Sequence, residues 1–253
     1  MSPYDFRTPR LFVDIPLAAG AEVLLDRTQA NYLLNVLRAK RGDQVLLFNG
    51  RDGEWQASLA GTGKRALSLT VGSCQRAQPR AGDLHFLFAP LKHARLDYMV
   101  QKAVEMGASM LQPVITQHTQ VARINLDRMR SNVIEAAQQC GVLNPPRVAA
   151  AIPFDRVADD ADRLLVFCDE DAEVSDPVAA LGAVRLTRVQ PLAVLIGPEG
   201  GFSEKERAAL LKLPKVVRLA LGPRILRADT AAVAALALVQ AVVGDWQHSA
   251  GNM

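Results

Sequence analysis

Over the last two-thirds of the chain, hydrophobic positions switch between two periods. Short, largely apolar runs occupy 84–89, 111–115, 164–168, 192–196 and 216–221, unbroken in 164–168 and 192–196 and interrupted by His85, Gln112-Pro113 and Arg218 in the others, the pattern of buried strands. Between the first two, Leu96, Met99, Val100, Ala103 and Val104 keep a 3.6-residue period up to Gly107, a helix C-cap, and 126–140 reads as a second helix. Strand alternating with helix predicts a parallel sheet with crossover helices. The last helix, 229–243, is apolar almost all round, so every side of it must be covered by the core or by a second subunit.

The first third has another rhythm. Short strands are expected at 11–15, 22–25, 44–48, 54–59 and 66–71, with Asn49-Gly50 and Asp52-Gly53 marking a hairpin. One helix interrupts them, capped by Thr28, with Tyr32, Leu33, Val36 and Leu37 on one face. Short strands closing a small barrel, with one helix, suggest a PUA-like or OB-like module. The segment 73–82, SCQRAQPRAG, is polar and holds proline and glycine. The expected organisation is a β-barrel domain over 1–75, a linker over 76–82 and an α/β domain over 83–253.

Composition narrows the class. The 253 residues are 49% hydrophobic, enough for a full core, and contain no run of eighteen apolar residues and no signal-like stretch near residue 1, so a cytoplasmic, soluble protein is expected. Cys74, Cys140 and Cys168 form no C-x-x-C pair, and His85, His93, His118 and His248 lack metal-ligand spacing; no metal is expected. The net charge of +3 is small, but residues 1–82 hold eleven Lys or Arg against seven Asp or Glu, whereas residues 83–253 hold eighteen against nineteen. A basic small domain beside a near-neutral larger one fits an RNA-binding module joined to an enzyme. Arg7, Arg10, Arg38, Lys40, Arg41 and Arg51 are its candidate RNA contacts, and each on its own also reads as an ordinary solvated charge.

Candidate chemistry concentrates in 192–243. The strand 192–196 ends at Gly197-Pro198, and Glu199-Gly200-Gly201 follows; adjacent glycines let a backbone turn sharply or a ligand approach closely. Ser203-Glu-Lys-Glu206 spells a capping box that opens a helix. The run 216–221 ends in a second Gly-Pro pair, Gly222-Pro223, and Arg224-Ile-Leu-Arg227 leads into the apolar helix. Ligands of open parallel sheets bind at the carboxyl ends of strands, where both loops fall. Neither loop has the GK[ST] ending of a phosphate-binding loop, no G-x-G-x-x-G follows a strand, and Ser203 fails the G-x-S-x-G pattern. The acidic run 169–173 follows another strand end, where one carboxylate would meet the ribose of a nucleoside cofactor and the others would be solvated.

Two motifs at this separation, LIGPEGGFSEKE at 195–206 and LGPRILRADTA at 221–231, resemble the C-terminal signature of the SPOUT methyltransferases, and among them the RsmE-type family that methylates N3 of a uridine in 16S ribosomal RNA. LKHARLDYMVQKAVEMGASMLQPVITQHTQV at 91–121 and NYLLNVLRAKRGDQVLLFNGRDGEW at 31–55 resemble the same family, so the likeness covers most of the chain. The resemblance implies a SPOUT-like parallel sheet with a C-terminal trefoil knot, preceded by a PUA-like barrel, in an obligate homodimer. It implies S-adenosylmethionine bound against Leu195, Ile196, Gly197, Pro198, Glu199, Gly200 and Gly201 of the first loop and Leu219, Leu221, Gly222, Ile225, Leu226, Arg227 and Thr230 of the second, with ribosomal RNA of the small subunit as partner.

Methylating uridine N3 requires removal of its proton and stabilisation of the resulting anion. Arg227 is the expected stabiliser, with Glu199 or Asp229 orienting it or taking part in proton removal; an ion pair from Arg227 to either carboxylate would instead make it a loop brace. Three positions depart from the family pattern: Gln138 replaces an acidic residue, Val142 an arginine and Asp229 a glutamate. Two alternatives remain open at this level, a SPOUT enzyme acting on another RNA and a non-catalytic RNA-binding assembly factor. The two intact loops argue against the second.

Overall fold

The computed structural model describes residues 7–62, 67–121, 123–160, 162–173, 176–184 and 191–247. Ala66, expected to open a strand, and His248 lie outside them. The chain forms two compact units, Met1–Arg80 with Ala137–Pro145, and Ala81–Ala136 with Pro146–Met253.

The first unit is a five-stranded sheet of β1 (Arg10–Phe12), β2 (Glu22–Leu24), β3 (Gln44–Phe48), β4 (Glu54–Thr62) and β5 (Leu67–Arg76), in the order β1-β3-β4-β5-β2. Only β1 and β3 pair in parallel. Alternating residues point inward, so that Leu67, Leu69 and Val71 join Val23, Val45, Leu47, Ala57 and Leu59 in one core. The hairpin between β3 and β4 is built by Asn49, whose Oδ1 accepts from the backbone N–H of Arg51 and Asp52. The φ of +80° at Gly50 and +86° at Gly53 explains the glycines there.

Two expectations for this unit are corrected. Asp26, not Thr28, caps helix α1 (Arg27–Asn31): its carboxylate accepts from Gln29 N–H, while the Gln29 side chain accepts from Asp26 N–H. The helix continues as a π-helical turn, Tyr32–Val36, and of its four expected face residues only Leu33 is buried. Strand β5 reaches Arg76, one residue into the expected linker.

The second unit is a parallel sheet. Strands β6 (Leu84–Phe88), β7 (Met110–Ile115), β8 (Arg147–Val148), β9 (Ile152–Pro153), β10 (Leu164–Cys168), β11 (Leu192–Ile196) and β12 (Val216–Leu219) run in the order β12-β10-β11-β6-β7-β8, with β9 also on β7. Every pairing is parallel. All five residues of β11 and four of five in β6 and β10 are buried, as their largely apolar runs require. Helices α2 (His93–Glu105), α3 (Leu126–Cys140), α4 (Pro177–Gly182), α5 (Glu204–Leu210) and α6 (Ala228–Val242) connect them. Gly107 ends α2 at φ +79°. The two-residue strands, α4 and a 3-10 turn at Phe154–Asp159 have too few residues to show a period in the sequence.

Candidate functional site

Strands β10, β11 and β12 are neighbours, and their carboxyl ends open into one cleft of about 530 Å³. Its walls are the strand end at Cys168 with Asp169 and Glu170 after β10, Gly197 to Gly201 after β11, and Ala220 to Arg227 after β12. Of the residues the resemblance assigns to the cofactor, Ile196, Gly197, Pro198, Glu199, Gly200, Gly201, Leu219, Leu221, Gly222, Ile225, Leu226 and Arg227 line it. Leu195 does not; it is fully buried in the core with Phe167 and Phe202. Thr230 does not either, lying exposed in the first turn of α6.

Local geometry favours glycine at two of these positions. A Cβ at Gly201, where φ is +66°, would collide with the Glu170 carboxylate, and one at Gly197 would press on the Phe202 ring at 3.0 Å. His118 holds the same loop from outside, its Nδ1 lying 3.0 Å and 3.1 Å from the carbonyl oxygens of Gly200 and Gly201. The capping box forms as expected: Ser203 N–H donates to Glu206 at 2.9 Å, and Glu206 also accepts from Gln117 N–H at 2.7 Å.

The loop after β10 is fixed by charge. The Asp169 side chain is fully buried, and its Oδ2 accepts from Arg207 at 2.9 Å and Arg218 at 2.7 Å. Burial pushes its carboxyl up, but the two guanidinium hydrogen bonds outweigh burial and hold it below the usual carboxylate value. From the acidic run, Asp169 is therefore a structural counter-ion, and the exposed carboxylate on the cleft is Glu170. Beside it, burial pushes the Cys168 thiol up to about 12, so the thiol stays protonated at neutral pH.

The three catalytic candidates are not arranged as expected. Arg227 is exposed on the cleft, at the N-cap of α6, and among the described residues its guanidinium has no hydrogen bond or ion pair. It pairs with neither Glu199 nor Asp229. Both carboxylates are taken by Arg95, in the first turn of α2, which sequence reasoning missed: its Nε and Nη2 grip Asp229 at 3.0 Å and 3.1 Å, and its Nη1 pairs with Glu199. The Arg95 hydrogen bond holds the Asp229 carboxyl below its usual value.

The first unit sorts its arginines similarly. Arg10 is buried, and its Nε donates to Glu54 at 2.8 Å; Arg76 donates to both Glu54 oxygens and to the Gly141 carbonyl. Arg10 is thus placed as a core counter-ion to Glu54. Arg51 pairs with Asp14 at 3.1 Å, exposed. Arg7, Arg38, Lys40 and Arg41 are exposed, and Arg38 has a φ of +56°, rare for a residue with a side chain. Gln138 Oε1 accepts from Phe12 N–H at 2.9 Å, a role a carboxylate oxygen also fills, so the replacement at this position keeps the contact. Val142 is half-buried.

The chain matches two family models, an RNA methyltransferase domain over 78–240 and an RNA methyltransferase PUA domain over 25–72. It is similar to ribosomal RNA small subunit methyltransferase E of Synechocystis sp., with 31% identity over 92% of this chain and 78% of that protein. The same-named protein of Rickettsia conorii is 28% identical over 91% of this chain and 94% of its own length. Among solved structures, ribosomal RNA small subunit methyltransferase E from Neisseria gonorrhoeae, bound to S-adenosylmethionine, superposes with a TM-score of 0.80 at 26% identity, covering 93% of this chain and 98% of that one. A methyltransferase from Legionella pneumophila with bound S-adenosylmethionine gives 0.77 at 27% identity, covering 93% and 98%. With the strand-end cleft, its two Gly-Pro loops and matches spanning both units, the chain belongs to the ribosomal RNA small subunit methyltransferase E family, of SPOUT-type fold with a PUA-like N-terminal domain.

Proposed function

We propose that the protein uses S-adenosylmethionine to methylate N3 of a uridine in 16S ribosomal RNA, acting in the cytoplasm as a homodimer with a knotted C-terminal segment. The observation that carries this reading is the cleft between the two Gly-Pro loops, with an arginine on its wall that has no partner among the described residues. The residues fit the cofactor. The cleft lies within the roughly 300–1,000 Å³ range of small-molecule sites, combines aliphatic Ile196, Leu219, Leu221 and Leu226 with the exposed Glu170 carboxylate, and uses glycine where the loops fold closest. Relatives of the same shape are named with that cofactor bound.

When bound, the cofactor supplies an electrophilic methyl group on a sulfonium. The protein's share is to hold uracil N3 in line with that methyl, which is worth effective molarities on the order of 10⁵ M or more. Uridine N3 is protonated at neutral pH, so negative charge grows on the ring as the proton leaves. Arg227, charged and exposed on the cleft, is placed to bind a uracil carbonyl and stabilise that charge. Arg38, Lys40 and Arg41, exposed on the basic unit, are the proposed phosphate contacts. Mass mapping of modified nucleosides in 16S ribosomal RNA from cells with and without the gene tests the reading. The expected result is loss of one 3-methyluridine; an unchanged 3-methyluridine content overturns it.

A further inference from the structure

Two carboxylates share one guanidinium beside the cleft, and the imbalance is directional. Arg95 spends its planar fork on Asp229, through Nε at 3.0 Å and Nη2 at 3.1 Å, and gives Glu199 a single N–H from Nη1. A bidentate pair of this kind is close to electrically neutral from outside. The remaining negative charge of the trio therefore resides on Glu199. Exposure follows the same division: the Asp229 side chain is 17% exposed and the Glu199 side chain 50%. Glu199 lines the cleft, and Asp229 does not.

The neighbouring carboxylate of the β10 loop is arranged in the opposite sense. Asp169 also lines the cleft, but it is fully buried and neutralised by two arginines, Arg207 and Arg218. Of the three carboxylates on the cleft wall, Asp169 is cancelled by two arginines, Glu170 lies 3.9 Å from the already shared Arg207, and Glu199 is held by Arg95 with its charge left over.

We propose that Arg95 is a positioning residue that fixes Glu199 as the counter-charge of the methyl donor, so that the cleft distinguishes the sulfonium form of the cofactor from its neutral thioether product. This rests on the S-adenosylmethionine reading of the cleft. In the transfer, the bond between methyl carbon and sulfur breaks, its electron pair staying on sulfur, while the N3 lone pair forms the new bond and the N3 proton leaves to solvent. The donor enters with one positive charge on sulfur and the product leaves with none. A fixed carboxylate favours the first by a Coulomb term that the second lacks, on the order of tenfold in affinity for a half-exposed group. Product is thereby released from the site that held its precursor. Asp229 acts at a distance, absorbing the Arg95 charge so that Glu199 keeps its own.

Calorimetric affinities for S-adenosylmethionine and S-adenosylhomocysteine test this on the full chain. Wild type is expected to favour the sulfonium form. Asp229→Asn, which alters no residue lining the cleft, should remove most of that preference by weakening the sulfonium form on the order of tenfold and leaving the thioether unchanged; Glu199→Gln should do the same. Arg95→Lys should keep part of the preference, because the charge stays and the planar fork is lost. If the variants weaken both ligands in parallel, Arg95 only braces the loops and the proposal is overturned. An unaltered ratio in well-folded Asp229→Asn and Glu199→Gln proteins overturns it too. Wild type that binds neither ligand refutes the cofactor reading itself, a result distinct from the other two.

Discussion

Each arginine is defined by what its guanidinium already holds. Arg227 and Arg10 were both candidates for contacting RNA or its base, and the structure separates them: one has no partner among the described residues, the other is buried on Glu54. For Arg227 the loop-brace reading required an ion pair that Arg95 has taken. Arg227→Ala should therefore leave S-adenosylmethionine affinity near wild type and lower the single-turnover methylation rate by about 10²-fold, the scale of losing one oxyanion-type donor. Calorimetry together with rapid-quench assays checks both halves, and a parallel fall in affinity and melting temperature would return Arg227 to a structural role. Glu54→Gln makes the opposite prediction. With its side chain 3% exposed between the buried Arg10 and the part-exposed Arg76, losing its charge removes the buried carboxylate that both guanidinium groups hold, at a cost of about 3 kcal/mol. Urea unfolding should record that loss as a lower midpoint at unchanged slope.

Elements were legible wherever burial is uniform along them. The runs 164–168 and 192–196 coincide with β10 and β11 because a strand covered on both faces leaves an unbroken apolar signature. Pairing between distant elements leaves none. Arg95 stands on an ordinary amphipathic helix, and its partners lie 104 and 134 positions away, so no local pattern marks it. Helix α6 shows the same limit. Its apolar character was plain, but which alanines face the core was not: Ala232 and Ala235 are buried, Ala234 and Ala237 are half-buried, and Thr230 and Ala241 are exposed, the last four at helical spacing. A bulky charge at Ala235 thus reports on folding and not on a dimer. For the homodimer proposed above, Ala237→Arg should keep the far-ultraviolet circular dichroism and melting cooperativity of wild type yet sediment as a monomer, whereas Ala235→Arg should fail to fold. A folded Ala237→Arg dimer would place the subunit interface elsewhere.

At the scale of the whole molecule, the two units share one electrostatic design, carboxylates sunk among arginines. Burial pushes Glu54 and Asp169 up, and their guanidinium partners overcome it; Arg95 does the same for Asp229, where its hydrogen bond is the leading cause. In each case the folded-state value falls below the unfolded one, near 4.5 for Glu and 3.8 for Asp. A depressed carboxylate binds fewer protons folded than unfolded, so its contribution is complete above the unfolded value and disappears as pH falls through the folded one. Melting temperature should therefore be flat from pH 7 to about pH 5 as far as these groups are concerned, then drop steeply below about pH 4. Because the groups sit in different units, the slopes should be separable. Glu54→Gln and Asp169→Asn should each lower the neutral-pH melting temperature and each remove part of the acid slope, and the double variant should remove the sum, as expected for sites with no shared partner. Differential scanning calorimetry of the four proteins between pH 3 and pH 7 decides it. An acid slope that survives intact in the double variant would mean that acid unfolding is driven by net-charge repulsion rather than by these buried pairs.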